Sequence, residues 1–135
     1  MKTIILSAGK GERLLPLTKD RPKILVELGD GTTMLSRQYD NLLGHGEIDE
    51  MVIGAGYCVE KVEEFISNLE DSSKVTVVYN PFYAMSGPLV TLWVVLNKLD
   101  DSSFIFMNGD TIYSKSIYDE IHKLLDSSRE GIFLI

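Results

Sequence analysis

The chain has 135 residues, 44% of them hydrophobic and 24% charged, with a formal net charge of −7 at pH 7. That balance describes one ordinary globular domain spanning 1–135 with a real core, and it excludes disordered, fibrous and broadly nucleic-acid-binding classes. Cys58 is the only cysteine, and His45 and His122 lie far apart, so neither a disulfide framework nor a local Cys/His zinc site can be assembled.

The first apolar run predicts a strand over residues 3–7. The run ends after Leu6, too short for a signal peptide's apolar region or a membrane span, so the expected setting is cytoplasmic, with no membrane partner. A loop follows, LSAGKGERLLPLTKDRPK, in which Lys10, Arg13, Lys19, Arg21 and Lys23 stand against only Glu12 and Asp20. Positive charge is collected there in an otherwise acidic chain, which suits a small phosphorylated ligand. Two known phosphate loops fail on this stretch. The pattern G-x-G-x-x-G breaks at Leu14, which weakens a nicotinamide-dinucleotide reading, and Gly9 and Gly11 are not followed by Gly-Lys-Ser/Thr at P-loop spacing. Pro16 and Pro22 also argue against a long helix from Gly11. Gly9 and Gly11 instead let backbone N–H groups approach an anion, while Arg13 and Lys23 bring charge from opposite ends of the loop.

Further strands are predicted over 50–54, 75–79, 104–108 and 131–135, each a nearly unbroken apolar or β-branched run. Between them lie helical stripes: Leu35, Tyr39, Leu42 and Leu43; then Val59, Val62, Ile66 and Leu69; then Leu89, Leu92, Trp93, Leu96 and Leu99. A fourth stripe, Ile117, Ile121, Leu124 and Leu125, is opened by Ser116 as N-cap with Asp119 in the first turn. Trp93 is expected in the core. Alternating strand and helix predicts an α/β fold, a Rossmann-like, mostly parallel sheet with helices on both faces. Ligands of such a sheet sit beyond the carboxyl ends of its strands, where the basic loop begins.

The stretch Ser7-Ala8-Gly9-Lys10-Gly11-Glu12-Arg13-Leu14-Leu15-Pro16-Leu17-Thr18, continued by Pro22-Lys23-Ile24-Leu25, resembles the signature of the sugar-phosphate nucleotidyltransferases without a missing position. The resemblance implies that the backbone around Leu6, Ser7, Ala8 and Gly9 meets the nucleotide, that Arg13 holds the triphosphate, and that Lys23 sits near the reacting phosphates. In FIFMNGDTIY it makes Asp110, which follows a predicted strand, the ligand of a Mg²⁺ ion. The segment NPFYAMSGPLVTLW resembles the base-recognition segment of cytidylyltransferases that activate phosphocholine, although Gly87-Pro88 replaces paired asparagines and Thr91 a serine. Gly87 also resembles the glycine that sugar-1-phosphate enzymes place against the nucleobase. Asn80 and Tyr83 are candidates for ligand contact.

The implied reaction is Mg²⁺-dependent transfer of a nucleotidyl group from an NTP (CTP, UTP or dTTP) to a sugar 1-phosphate or phosphocholine-like acceptor, with release of pyrophosphate. Arg13, Lys23 and Asp110 are the catalytic candidates; Leu6, Ser7, Ala8, Gly9, Gly11, Arg13, Asn80 and Gly87 are the nucleotide-binding ones. The chain stops inside GIFLI with no closing turn, so it reads as truncated, the implied acceptor pocket and a second metal carboxylate lying downstream. The alternative is a non-catalytic nucleotide- or sugar-nucleotide-binding regulatory module. A homo-oligomer is compatible with either.

Overall fold

The computed structural model describes residues 1–43, 49–100 and 103–114, together with 116, 117, 119, 120 and 123. Among the described residues four strands, β1 (Lys2–Ser7), β2 (Glu50–Ala55), β3 (Val75–Tyr79) and β4 (Phe104–Asn108), alternate with three helices, α1 (Met34–Leu43), α2 (Val59–Ser67) and α3 (Pro88–Leu96), and residues 116, 117, 119, 120 and 123 are helical. The sheet order is β3-β2-β1-β4 and every pairing is parallel. Each connection is therefore a crossover, and the chain changes direction across the sheet between β1 and β4. The predicted strand over 131–135 lies outside the described residues, as do Ile121, Leu124 and Leu125 of the fourth stripe and both histidines.

Alternation along the strands decides which helix covers which face. Ile5, Met51, Ile53 and Met107 point to one side, where Leu35 and Leu42 of α1 and Val62 and Ile66 of α2 complete a core. Ile4, Val52 and Val78 point to the other and meet Val95 of α3. Helix α1 opens with a reciprocal cap in which the Ser36 N–H donates to Thr33 Oγ1 at 3.0 Å and the Thr33 N–H to Ser36 Oγ at 2.9 Å. Helix α3 starts with Gly87 as N-cap and Pro88 in its first turn, where a missing N–H costs nothing.

The expected face of α3 is only partly right: Leu92 and Leu99 pack against the second core, but Leu89 and Trp93 do not. Leu89 is 77% and Trp93 61% exposed, while Thr91 and Val95 are buried. The reason is local: PLVTLWVVL is apolar almost all round, so periodicity selects no face. Rotation is instead set by a notch at Gly54, where a Cβ would lie 2.7 Å from Thr91 Cγ2 and 3.0 Å from Val95 Cγ2. A buried hydrogen bond of 2.9 Å from Asn80 Nδ2 to Thr91 Oγ1 fixes the same rotation.

Candidate active site

The loop after β1 is folded by its own residues. Gly11 adopts φ +65°, a left-handed conformation that glycine takes without strain. The Thr18 hydroxyl, almost fully buried, donates to the Gly11 carbonyl at 2.8 Å and closes the loop on itself. The long helix that the prolines argue against is absent; only a 3₁₀ turn, Glu12–Leu14, follows Gly11. A second turn, Lys23–Leu25, is anchored by the fully buried Ile24 and returns Lys23 to the start of the loop. The neighbouring connection braces it from outside, with the Tyr57 N–H donating to the Ala8 carbonyl at 3.0 Å and the Tyr57 hydroxyl to the Lys19 carbonyl at 2.6 Å.

Asp110 reaches the same place from β4. The Gly109 N–H donates to the Leu6 carbonyl at 2.9 Å. A Cβ at residue 109 would fall 2.7 Å from Ser7 Cβ, so glycine lets this turn lie against the end of β1. Lys23 Nζ, 13 residues past Lys10 in the loop, then donates to Asp110 Oδ2 at 2.6 Å across 87 residues of sequence. That hydrogen bond is the main reason the Asp110 carboxyl is held below the usual carboxylate range, against the opposing effect of desolvation. The carboxylate is thus ionised at neutral pH. Arg13 is exposed and, among the described residues, forms no ion pair.

These groups line one cleft of about 380 Å³ at the carboxyl edge of the sheet. Arg13, Lys23 and Asp110 make up its charged wall; Leu6, Ser7, Ala8, Gly9, Gly11 and Asn108 come from the ends of β1 and β4 and the first loop; Tyr83, Ser86, Gly87, Pro88 and Thr91, from the segment after β3, make up its uncharged wall. A second hollow of about 340 Å³ adjoins it, and Arg13 and Tyr83 line both. Neither Gly9 nor Gly87 has an atom within 4 Å of an added Cβ, so their missing side chains leave space open at the cleft rather than relieving a clash.

Ten of the eleven residues expected at the site, Tyr83 among them, line the cleft. Asn80 does not. It is fully buried beneath the uncharged wall, where Nδ2 donates to Thr91 Oγ1 at 2.9 Å and to Ser86 Oγ at 3.2 Å, and Oδ1 accepts the Phe82 N–H at 2.9 Å. Its amide is spent on holding the loop. Ser86 and Asn108 line the cleft without having been singled out; Asn108 ends a predicted strand one step before the loop to Asp110, and that position was its signal. Cys58, at φ 49° before α2, lines none of the described hollows.

Residues 2–135 match the family described as Nucleotidyl transferase. The chain belongs to the nucleotidyl transferase family. Among similar members, a UTP–glucose-1-phosphate uridylyltransferase of Haloferax volcanii is 32% identical over 136 residues, covering 100% of this chain and 54% of that protein. A mannose-1-phosphate guanyltransferase of Gibberella zeae is 34% identical over 139 residues, covering 100% of this chain and 37% of that protein. The structure of a CTP:phosphocholine cytidylyltransferase from Streptococcus pneumoniae aligns with a TM-score of 0.67 at 30% identity, over 81% of this chain and 44% of that one. A UDP-glucose pyrophosphorylase solved with UDP-glucose shares the fold, with a TM-score of 0.72 at 19% identity over 93% of this chain and 53% of that one. This nucleotidyl transferase chain thus spans about half the length of the curated relatives and solved structures it matches, or less. Among its described residues no helix is long and apolar enough to cross a membrane.

Proposed function

We propose that the chain carries the NTP-binding part of an enzyme that transfers a nucleotidyl group to a small phosphorylated acceptor, a sugar 1-phosphate or a phosphocholine-like monoester. The observation that supports this most is the meeting of Arg13 and Lys23, from two ends of the first loop, with Asp110, from the end of β4, in one cleft whose remaining lining is uncharged. A nucleoside triphosphate has the same polarity: triphosphate at the charged wall, base and ribose towards Ser86, Gly87 and Thr91. CTP, UTP and dTTP are the proposed donors.

In the proposed reaction an acceptor phosphate oxygen attacks the α-phosphorus in line; a P–O bond forms, the bond to the β-phosphate oxygen breaks, and pyrophosphate leaves. The acceptor needs no dedicated base, because a phosphomonoester with a second pKa of about 6 is mostly dianionic at neutral pH. Arg13 and Lys23 orient the triphosphate and meet negative charge at the transferring group, and the loop backbone from Leu6 to Gly11 holds the nucleotide against them. Asp110 is the one carboxylate on this wall among the described residues, half-exposed and ionised, and it fits a Mg²⁺ ion that brings phosphate oxygens as its other ligands. The ion would supply charge neutralisation at the phosphates.

The test crosses four NTPs with phosphocholine and several sugar 1-phosphates on the longest natural form of the chain, with and without Mg²⁺, read by pyrophosphate release. Mg²⁺-dependent release with one pair supports transfer. NTP binding without release from any pair would favour a non-catalytic binding module.

A further inference from the structure

Gln38 is fully buried on α1, between Leu35 and Leu42 on the stripe that faces the core. A carboxamide there is costly unless its polar atoms find partners. Its Nε2 donates twice, to the Thr111 carbonyl at 2.7 Å and to the Asn108 carbonyl at 3.2 Å. Those two carbonyls bracket Gly109 and Asp110. One turn further along the same helix, Asn41 Nδ2 donates to the Tyr113 carbonyl at 3.2 Å. Helix α1 therefore grips the segment after β4 by its backbone from beneath, while the cleft side carries the Asp110 carboxylate. Oε1, by contrast, is buried without a partner among the described residues. The two donors go to the carboxylate's turn and the acceptor is left over.

We propose that Gln38 is a positioning residue for Asp110: its carboxamide fixes the 108–111 turn so that the carboxylate stands at the phosphate end of the cleft. β4 is an edge strand among the described residues, and its one ladder among them is the pairing with β1. Besides the contacts inside the turn, from the Thr111 N–H to the Asn108 carbonyl and from Thr111 Oγ1 to Asp110 Oδ1 at 3.4 Å each, the remaining ties among the described residues are the Gly109–Leu6 hydrogen bond and the Lys23–Asp110 pair. The second of these pairs the same carboxylate with a cation, and cannot hold the turn in place once Asp110 is shared with a metal. Gln38 can, because it bonds backbone and not the carboxylate.

The proposal rests on the nucleotidyl-transfer reading of the cleft, and the experiment separates the two. Affinity of the full chain for CTP and UTP is measured by calorimetry with and without MgCl₂, for the unmodified protein, for Gln38→Met and for Leu42→Val. Gln38→Met keeps the bulk and loses both donors; Leu42→Val destabilises the same helix without touching the turn. Partners that orient a metal ligand are typically worth ~10–100-fold in metal affinity, so the gain in nucleotide affinity on adding Mg²⁺ should shrink by about tenfold or more in Gln38→Met. Metal-free nucleotide affinity should stay unchanged, and Leu42→Val should keep the full gain. If Gln38→Met is too unstable to purify, Gln38→Asn, which withdraws the same amide by one methylene, should show the same selective loss. Equal losses with and without Mg²⁺, or none, would overturn the proposal while leaving nucleotide binding intact. Failure of the unmodified chain to bind either nucleotide would overturn the reading beneath it.

Discussion

The two walls of the cleft are built on opposite plans. The charged wall presents side chains directly: Arg13 is exposed, and Lys23 and Asp110 are partly so and paired at 2.6 Å. The uncharged wall presents what a hidden residue arranges, because Ser86 and Thr91 both take hydrogen bonds from the fully buried Asn80. Charge acts over distance and tolerates exposure, whereas a neutral wall must be shaped atom by atom. Damage should therefore read out differently on the two sides, in catalysis on one and in stability on the other.

The largest expected effect is on the charged wall. In a chain that turns over, Lys23→Ala should lower kcat by about 10²–10³-fold, the usual cost of one preorganised donor at developing charge, with a smaller rise in the NTP KM. A change confined to KM would make Lys23 a ground-state binding residue and blur the contrast. On the other wall, Asn80→Ala should cost about 1–3 kcal/mol of folding stability in urea titrations, because the Phe82 N–H loses its acceptor. Unaltered stability would mean that the loop holds itself.

The smallest effect concerns pH. Asp110 has a folded-state pKa below its unfolded value of about 3.9, chiefly through Lys23, so its contribution is fully present above that value and lost as pH falls through the folded pKa. Both partners are partly exposed, so this share should stay under about 1 kcal/mol. Urea midpoints of Asp110→Asn and the unmodified chain should differ at pH 6, and the gap should close progressively as pH falls below the ordinary carboxylate value of about 3.9. A constant gap would assign the difference to something other than ionisation.

The charged wall was largely readable from sequence, and the contrast explains why. Its residues lie in one contiguous loop whose glycines, prolines and basic side chains each have a local meaning, and Asp110 follows a strand that the apolar run FIFM announces. The four described strands were found within one residue at each end because buried parallel strands are continuous apolar runs. The uncharged wall was read less well. Nothing in NPFY says that the Asn80 amide turns inward, since that depends on Thr91 arriving from a helix whose rotation is fixed by Gly54. Trp93 was misplaced for the same reason. Gln38 carried a signal that went unread, a polar residue on the buried stripe between Leu35 and Leu42.

The central claim is that a triphosphate lies along the charged wall, and Arg13→Ala tests it most directly when one base is carried through a series. Calorimetry would compare the nucleoside tri-, di- and monophosphate of the tightest-binding base, in Mg²⁺, for the unmodified chain and the variant. Arg13→Ala should weaken the triphosphate by about 1.5–3 kcal/mol, as for a hydrogen bond to a charged group, and the loss should shrink stepwise to little for the monophosphate. Equal losses across the series, or an unchanged triphosphate affinity, would contradict the account and place the phosphates elsewhere.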